Sequence, residues 1–220
     1  GVFTQNRAAA APVLLSREHL RPGRARAVVV NAGCANAATG EGGLRDARDM
    51  AAVTAAALGC APEEVVVAST GVIGVPLPMD KIRAGISAAA RTLSPQGGAA
   101  AARAILTTDT KPKETTLDFT IGGRPVRLGA MAKGAGMSAP NMATLLAFLT
   151  TDARVAPALL QGVLREAVGE TLNRITVDGD TSTNDMAVVL ASGAAGAPAI
   201  EREGQDLQAF RAALVAASRR

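Results

Sequence analysis

The stretch "KGAGMSAPNMATLLAFLTTDA" (residues 133–153) joins a loop of small residues to an apolar run. Glycine and proline in its first half favour a turn, and the apolar run over 144–153 predicts a strand. Thr144 therefore stands where a loop ends and a strand begins. Two interpretations are open. Thr144 is the first residue of a strand behind a structural turn, or it is a nucleophile that becomes reactive when the preceding peptide bond is cut.

The rest of the chain predicts a single α+β domain without a linker or an internal repeat. Gly122 and Gly123 suit the tight turn of a hairpin over 116–132, while Gly59 and Pro95 are expected to end two helices. The other predicted elements are strands over 25–31, 64–69, 173–180 and 185–193, and helices that begin near residues 44, 80, 158 and 207.

Composition restricts the class of protein. Apolar residues make up 48% of the chain and aromatic residues only 2%, so the core must be built from aliphatic side chains. No window reaches the roughly 18 unbroken apolar residues of a membrane span, and no membrane partner is expected. The basic residues are scattered and stacking aromatics are few, so nucleic-acid binding is not expected. Cys34 and Cys60 are interpreted as buried reduced thiols, which favours a cytoplasmic protein.

Several kinds of site are excluded by residue type and spacing. The single histidine, His19, lies in a charged stretch and is interpreted as a surface residue, so catalysis by a Ser-His-Asp or Cys-His arrangement is not expected. Two cysteines and one histidine show no zinc-ligand spacing. Segment 178–185 begins like a calcium loop but has Thr183 where glycine is needed and Val189 where glutamate is needed. We therefore expect no metal.

Threonine is a poor nucleophile unless a base accepts its proton. A cut between Ala143 and Thr144 would create an α-amine with an ordinary pKa of about 7.7–8.0, close to neutrality. That amine can accept the Oγ proton, as it does in enzymes with an N-terminal threonine. Gly134 and Gly136 permit the unusual backbone angles that a self-cleaving loop needs. The local sequence alone still favours the plain structural turn.

Motifs along the whole chain change that balance. They are "GVFTQNRAAAAPV" (1–13), "VVVNAGCANAATG" (28–40), "ASTGVIGVPLPMDKI" (68–82), "TTDTKPK" (107–113), "MAKGAGMSAPNMATLLAFLTTDA" (131–153) and "NRITVDGDTSTND" (173–185). In this order they make the chain resemble the bifunctional ornithine acetyltransferase / glutamate N-acetyltransferase family of arginine biosynthesis. The resemblance implies a four-layer αββα sandwich, similar to that of hydrolases with an N-terminal nucleophile.

The resemblance also implies self-cleavage between Ala143 and Thr144. The domain over 1–220 would then consist of an α-chain part over 1–143 and the start of a β chain over 144–220. Family members begin earlier and continue further, so we expect this chain to be part of a longer protein. Two α and two β chains are expected to form a heterotetramer.

Five residues receive roles from the resemblance. Thr144 is the nucleophile that carries the acetyl group and also contacts the substrate. The Thr70 side chain and the Gly71 N–H match the pair that stabilises the oxyanion. Thr107 and Lys133 match substrate-binding positions, and a lysine suits a substrate carboxylate. The alternative for Thr107 and Lys133 is a helix-end hydroxyl and a solvated surface lysine.

The implied reaction moves an acetyl group from N-acetylornithine to glutamate through acetyl-Thr144. It needs no cofactor, although some family members also accept acetyl-CoA as the acetyl donor. Two other functions stay open. The chain could belong to a related self-processing aminopeptidase or amidase, in which water replaces glutamate as acceptor, or it could be a non-catalytic fragment.

Overall fold

The computed structural model describes residues 1–135, 145–175 and 180–220, so predictions for 136–144 and 176–179 lie outside the described residues. The described helices are α1 (Ala11–His19), α2 (Gly40–Leu58), α3 (Met79–Arg91), α4 (Gly98–Ala104), α5 (Pro157–Glu170) and α6 (Gln205–Arg219). The described strands are β1 (Val2–Phe3), β2 (Ala27–Cys34), β3 (Val65–Val72), β4 (Lys113–Ile121), β5 (Arg124–Lys133), β6 (Leu146–Thr151) and β7 (Met186–Ala191).

The strands form two sheets. One has the order β1-β7-β6-β5-β4, in which only the β6–β7 pair is parallel. The other is the parallel pair β2–β3. In the larger sheet Lys133 is opposite Leu146, and Leu146 is opposite Met186. The end of β5 and the beginnings of β6 and β7 therefore lie at one edge of this sheet.

Alternate side chains of β6 and β3 enter different cores, which explains their continuous apolar sequences. Leu149 of β6 packs in the core that α5 and α6 form on one face of the larger sheet. Phe148 points to the other face and packs in the core that contains Val66 of β3. Val67 of β3 packs against Met50 of α2 on the outer face of the smaller sheet. Successive strand residues point to opposite faces.

These three cores separate four layers, in the order α5/α6, larger sheet, smaller sheet, α2/α3. The predicted α+β fold with an αββα arrangement is confirmed. The predicted hairpin is confirmed as β4–β5, with Gly122 at φ 55° and Gly123 at φ 78°. Gly59 has φ 67° and ends α2 as predicted. Among the described residues, no helix is long and apolar enough to cross a membrane.

Local patterns missed or misplaced several elements. Helix α2 begins at Gly40 rather than near residue 44, in a glycine-rich turn that local propensity disfavours. The side chains of Asn36 and Thr39 pack closely over this first turn, because a Cβ at Gly43 would lie 1.9 Å from the Thr39 hydroxyl and 2.3 Å from Asn36 Oδ1, so only glycine fits there. The strand predicted over 173–180 is wrong at its start, where Leu172–Arg174 forms a short 3-10 helix that Thr171 separates from α5. Elements β1, α1 and α4 were not predicted.

His19 and the two cysteines differ in part from their predictions. His19 is partly exposed, as a surface residue would be, but its Nδ1 also lies 2.8 Å from the carbonyl oxygen of Val65, a contact that the surface interpretation did not include. The histidine joins the end of α1 to the start of β3. Cys34 and Cys60 are free thiols as predicted, but both are partly exposed rather than buried.

Phe210 provides a test of the core between α6 and the larger sheet. Its ring is fully buried and lies 6.2 Å, centroid to centroid, from the ring of Phe119. We expect Phe210→Ala to lower the free energy of unfolding by about 3–5 kcal/mol, because the change removes buried area and leaves a cavity. Leu93→Ala is the control, since Leu93 is 69% exposed and should change stability by less than about 0.5 kcal/mol. Equal losses in urea denaturation would contradict this assignment of the core.

Candidate active site

Three of the predicted site residues meet at one buried ammonium group. Lys133 Nζ donates hydrogen bonds to Thr70 Oγ1 at 2.9 Å and to Thr107 Oγ1 at 2.7 Å. Lys133 ends β5, Thr70 lies near the end of β3, and Thr107 lies in the loop after α4. The three residues therefore come from both sheets and from a connecting loop.

The direction of these hydrogen bonds follows from donor chemistry. An ammonium group has three donors and no acceptor, whereas a hydroxyl has one donor and two acceptor lone pairs. Thr70 and Thr107 must therefore accept from Lys133. The single proton of each hydroxyl is then directed to another acceptor. For Thr70 this is the polarity that stabilisation of an oxyanion requires.

Lys133 is only 2% exposed, so the alternative of a solvated surface lysine is wrong. Burial lowers the pKa of the Lys133 ammonium because removal from water disfavours the charged form. The negative charge of Asp109 acts against this shift, Lys113 adds to it, and Asp185 acts against it. Thr107 is exposed and lies just beyond the end of α4. This position also fits the alternative interpretation, in which Thr107 is a hydroxyl at a helix end.

Asp109 connects the Thr107 loop to the end of β5. Its Oδ1 accepts from Lys113 Nζ at 2.5 Å and from the Gly134 N–H at 2.8 Å. Burial raises the pKa of the Asp109 carboxyl, but these two hydrogen bonds and the charges of Lys113 and Lys133 hold it below its usual value. Asp109 therefore carries a negative charge near the buried Lys133 ammonium. The prediction did not include it, although it lies in the motif "TTDTKPK".

Gly71 lies where the two strands of the smaller sheet approach closely. It is paired with Gly33 and has φ 131°. A Cβ at Gly71 would lie 2.2 Å from the carbonyl carbon of Gly33, so no larger residue fits without a backbone shift. The geometry explains why glycine follows Thr70 here.

Residues 182–185 form a second polar group at the same edge of the larger sheet. Asn184 Nδ2 donates to the carbonyl oxygens of Ala35 at 2.6 Å and Ser69 at 2.9 Å. Asp185 Oδ1 accepts from the Leu145 N–H at 2.8 Å. Both side chains are buried. The sequence signal for this group is the polar run "DTSTND" (180–185), to which the family resemblance assigns no role.

The Asp185 carboxyl is fully buried, and burial raises its pKa to about 8. The Leu145 N–H, the nearby Ser182 hydroxyl and the charge of Lys133 act against this shift. Its Oδ2 has no hydrogen-bond partner among the described residues. Near neutral pH a large share of the Asp185 carboxyl is therefore protonated.

Ala143 and Thr144, the predicted cleavage site and nucleophile, lie outside the described residues. Leu145, which follows Thr144, is buried and begins the chain towards β6. Within 1–135, 145–175 and 180–220, no group of three or more His, Cys, Asp or Glu side chains could hold a metal ion.

Known proteins resemble this chain over almost its whole length. The model of the ArgJ family matches residues 1–220. Two proteins named "Arginine biosynthesis bifunctional protein ArgJ" are similar. That of Symbiobacterium thermophilum is 58% identical over 216 residues, which cover 98% of this chain and 54% of the relative. That of Methylococcus capsulatus is 53% identical over 213 residues, which cover 97% and 52%. The chain thus spans about half the length of these curated relatives.

Two solved structures share the fold. The crystal structure of arginine biosynthesis bifunctional protein ArgJ from Bacillus halodurans superposes with a TM-score of 0.60 at 43% identity, over 64% of this chain and 74% of that one. Ornithine acetyltransferase from Mycobacterium tuberculosis, crystallised with ornithine, gives a TM-score of 0.57 at 42% identity, over 66% and 76%.

The raised pKa of Asp185 predicts a specific dependence of stability on pH. The unfolded chain releases the Asp185 proton near its ordinary pKa of 3.8, whereas the folded chain retains it up to about pH 8. Between these two pH values the folded state therefore binds more protons than the unfolded state. The contribution of Asp185 to the free energy of unfolding therefore falls as pH rises through this window. Asp185→Asn removes the titration, so its stability relative to the unmodified chain should rise by up to about 1.4 kcal/mol per pH unit.

Urea denaturation at pH 5, 6, 7 and 8 measures this difference. Glu41→Gln is the control, because the Glu41 side chain is 97% exposed and should show no such trend. A stability difference for Asp185→Asn that stays constant across these pH values would contradict the raised pKa.

Proposed function

Because this chain belongs to the ArgJ family, we propose that it is the nucleophile-bearing part of a self-processing acetyltransferase. The enzyme moves an acetyl group from N-acetylornithine to glutamate. The observation that supports this most directly is the convergence of Thr70, Thr107 and Lys133 at one buried ammonium group. These are three of the residues that the family resemblance assigns to the oxyanion and to the substrate.

The first step is cleavage of the precursor. Thr144 Oγ attacks the carbonyl carbon of Ala143, and the C–N bond of that peptide breaks as the nitrogen takes the Oγ proton. Water then hydrolyses the resulting ester and leaves Ala143 with a carboxylate and Thr144 with a free α-amine. The two pieces are the α chain, ending at Ala143, and the β chain, beginning at Thr144.

In the acetyl-transfer step the Thr144 α-amine accepts the Oγ proton while Oγ attacks the acetyl carbonyl carbon of N-acetylornithine. The oxygen that becomes negative accepts hydrogen bonds from the Thr70 hydroxyl and the Gly71 N–H. Lys133 holds the Thr70 oxygen as an acceptor, so that the Thr70 proton is directed at the oxyanion. The proton passes to the leaving nitrogen, and ornithine departs. The amine of glutamate then attacks acetyl-Thr144 and takes the acetyl group.

Substrate binding uses the same ammonium group. Two N–H donors of Lys133 bind Thr70 and Thr107, and we assign its third to the carboxylate of the amino-acid substrate. Thr107 lies at the exposed end of this arrangement, where substrate enters. The reaction requires no bound cofactor in this scheme, and acetyl-CoA enters only as an alternative acetyl donor. The free thiols of Cys34 and Cys60 suit a cytoplasmic enzyme, which we propose is an α2β2 heterotetramer.

The first test concerns self-cleavage of the full-length precursor. Intact mass spectrometry should show two pieces that separate between Ala143 and Thr144. Thr144→Ala should leave a single chain, because the variant lacks the attacking oxygen. Thr150→Ala is a matched control, since Thr150 is exposed on β6 and should leave cleavage unchanged. Cleavage of Thr144→Ala at the normal rate would show that a host protease acts and would remove this mechanism.

The second test concerns the oxyanion donor. We expect Thr70→Ala to lower kcat for acetyl transfer by about 10²–10³-fold with little change in KM, because the donor acts on charge that develops in the transition state. Thr120→Ala serves as control, since Thr120 is exposed on β4. A large rise in KM with unchanged kcat would instead place Thr70 in ground-state binding.

Product analysis in the same assay separates acetyl transfer from hydrolysis. With N-acetylornithine and glutamate, the proposed enzyme forms N-acetylglutamate and ornithine. Release of free acetate at the same rate with or without glutamate would identify an amidase or aminopeptidase instead. A stable unprocessed precursor without either activity would identify a non-catalytic fragment.

A further inference from the structure

The segment 182–185 contacts two peptide groups that the proposed reaction depends on. Asn184 Nδ2 donates to the carbonyl oxygen of Ser69 at 2.9 Å. That carbonyl belongs to the peptide group joining Ser69 to Thr70. The Thr70 hydroxyl is the oxyanion donor in the proposed reaction. Asp185 Oδ1 accepts from the Leu145 N–H at 2.8 Å. That N–H belongs to the peptide group joining Leu145 to the residue before it, Thr144.

Asn184 also bridges the two strands of the smaller sheet. Its Nδ2 donates to the carbonyl oxygen of Ala35, which directly follows β2, at 2.6 Å. The Ala35 N–H in turn donates to the carbonyl oxygen of Val72 at 2.8 Å. The two carbonyl oxygens fix the orientation of the Asn184 amide, because a carbonyl can only accept and the NH₂ group must therefore face them. The Asn184 Oδ1 then accepts from the Thr183 hydroxyl at 2.6 Å.

The segment itself is held by the N-terminal part of the chain. Thr4 N donates to the Asp185 carbonyl at 2.9 Å, and Thr4 Oγ1 donates to the Ser182 carbonyl at 2.7 Å. Ala10 N donates to the Thr183 carbonyl at 2.9 Å. Ser182, Asn184 and Asp185 are all buried. A buried, hydrogen-bonded segment of this kind has little freedom to move, because each lost bond would leave an unpaired polar group.

We propose that Asn184 and Asp185 are positioning residues for both self-cleavage and acetyl transfer. Asn184 fixes the strand that carries Thr70, and the adjacent Asp185 fixes the start of the strand that Thr144 precedes. Two consecutive side chains thus set the separation between oxyanion donor and nucleophile across the two sheets. This inference rests on the proposed function. The expected effect on rate follows from geometry, since a misplacement of reacting groups by about 1 Å can lower the rate on the order of 10²-fold.

Exchanging asparagine and aspartate should have different effects at the two positions, because Asn184 uses its NH₂ group as a donor and Asp185 uses an oxygen as an acceptor. Asn184→Asp replaces the donor that faces two carbonyls with an acceptor, so both hydrogen bonds are lost. Asp185→Asn retains an Oδ1 that can accept from the Leu145 N–H. Asp185→Leu keeps the number and branching of the side-chain heavy atoms but leaves this buried N–H without an acceptor. A positioning role therefore predicts that Asn184→Asp and Asp185→Leu fail while Asp185→Asn functions.

The experiment follows self-cleavage of purified full-length precursors by intact mass, and then kcat and KM of the processed fraction. The number of competent sites comes from the burst of acetyl-enzyme. We expect Asn184→Asp and Asp185→Leu to slow cleavage and lower kcat by about 10²-fold with little change in KM. Asp185→Asn should stay within a few-fold of the unmodified protein in both measurements. A loss in Asp185→Asn as large as that in Asp185→Leu would overturn the acceptor role of Asp185.

A double-mutant cycle tests whether Asn184 acts through Thr70. If it does, Thr70→Ala should cost far less kcat in the Asn184→Asp background than in the unmodified protein. Independent effects, in which the two losses multiply, would overturn this route of action.

Ser16→Ala separates positioning from general stability. Ser16 is buried and bonds both the N–H and the carbonyl of Val67 on β3, at 2.8 and 2.7 Å, so its loss destabilises the same strand away from the site. It should lower the melting temperature and leave kcat unchanged. A loss of kcat in Ser16→Ala equal to that in Asn184→Asp would show that stability alone explains the effect. An unmodified precursor that neither cleaves nor transfers acetyl groups would refute the proposed function itself. An active one with an unaffected Asn184→Asp would refute only the positioning role.

Discussion

The arrangement of this molecule depends on a charged ammonium group that lies almost completely out of water. A buried lysine is stable only when hydrogen-bond acceptors and compensating charge surround it. Lys133 meets this condition with the hydroxyls of Thr70 and Thr107 and with the negative charge of Asp109. Those partners come from the smaller sheet and from the loop after α4, so the requirement brings distant parts of the chain to the end of β5.

Strand direction explains why this happens at one edge. Because β5 is antiparallel to β6, and β6 is parallel to β7, the end of β5 lies beside the beginnings of the other two strands. Lys133, Leu145 and Asp185 are therefore neighbours at that edge. Below them the two sheets pack through apolar side chains, among them Val66 of the smaller sheet and Phe148 of the larger sheet. Apolar packing holds the sheets together, and hydrogen bonds between polar groups join Lys133 to Thr70 and Asp185 to Leu145 at this edge.

The polarity of this edge is set by a small number of donors and acceptors. Lys133 can only donate, which makes Thr70 an acceptor towards the lysine and a donor towards its other neighbour. Asn184 donates to the carbonyl just before Thr70, and Asp185 accepts from the N–H just after Thr144. Gly71 and Gly33 allow the two strands to come close enough for this geometry. The contacts of Asn184 and Asp185 act on the backbone, and they hold the peptide groups that precede Thr70 and Leu145.

The sequence by itself determined the apolar strands, the glycine turn between β4 and β5, the family resemblance and the residues that this resemblance assigns. Those features depend on neighbouring residues or on motifs that can be read along the chain. Only the tertiary structure decided that Lys133 is buried, that His19 bonds the backbone of β3, and that Asn184 and Asp185 act across two sheets. The physical reason is separation in sequence. Lys133 and Thr70 are 63 residues apart, and Asn184 and Ser69 are 115 apart. No local pattern encodes which of many polar residues will be desolvated together, because the packing of the whole chain determines that.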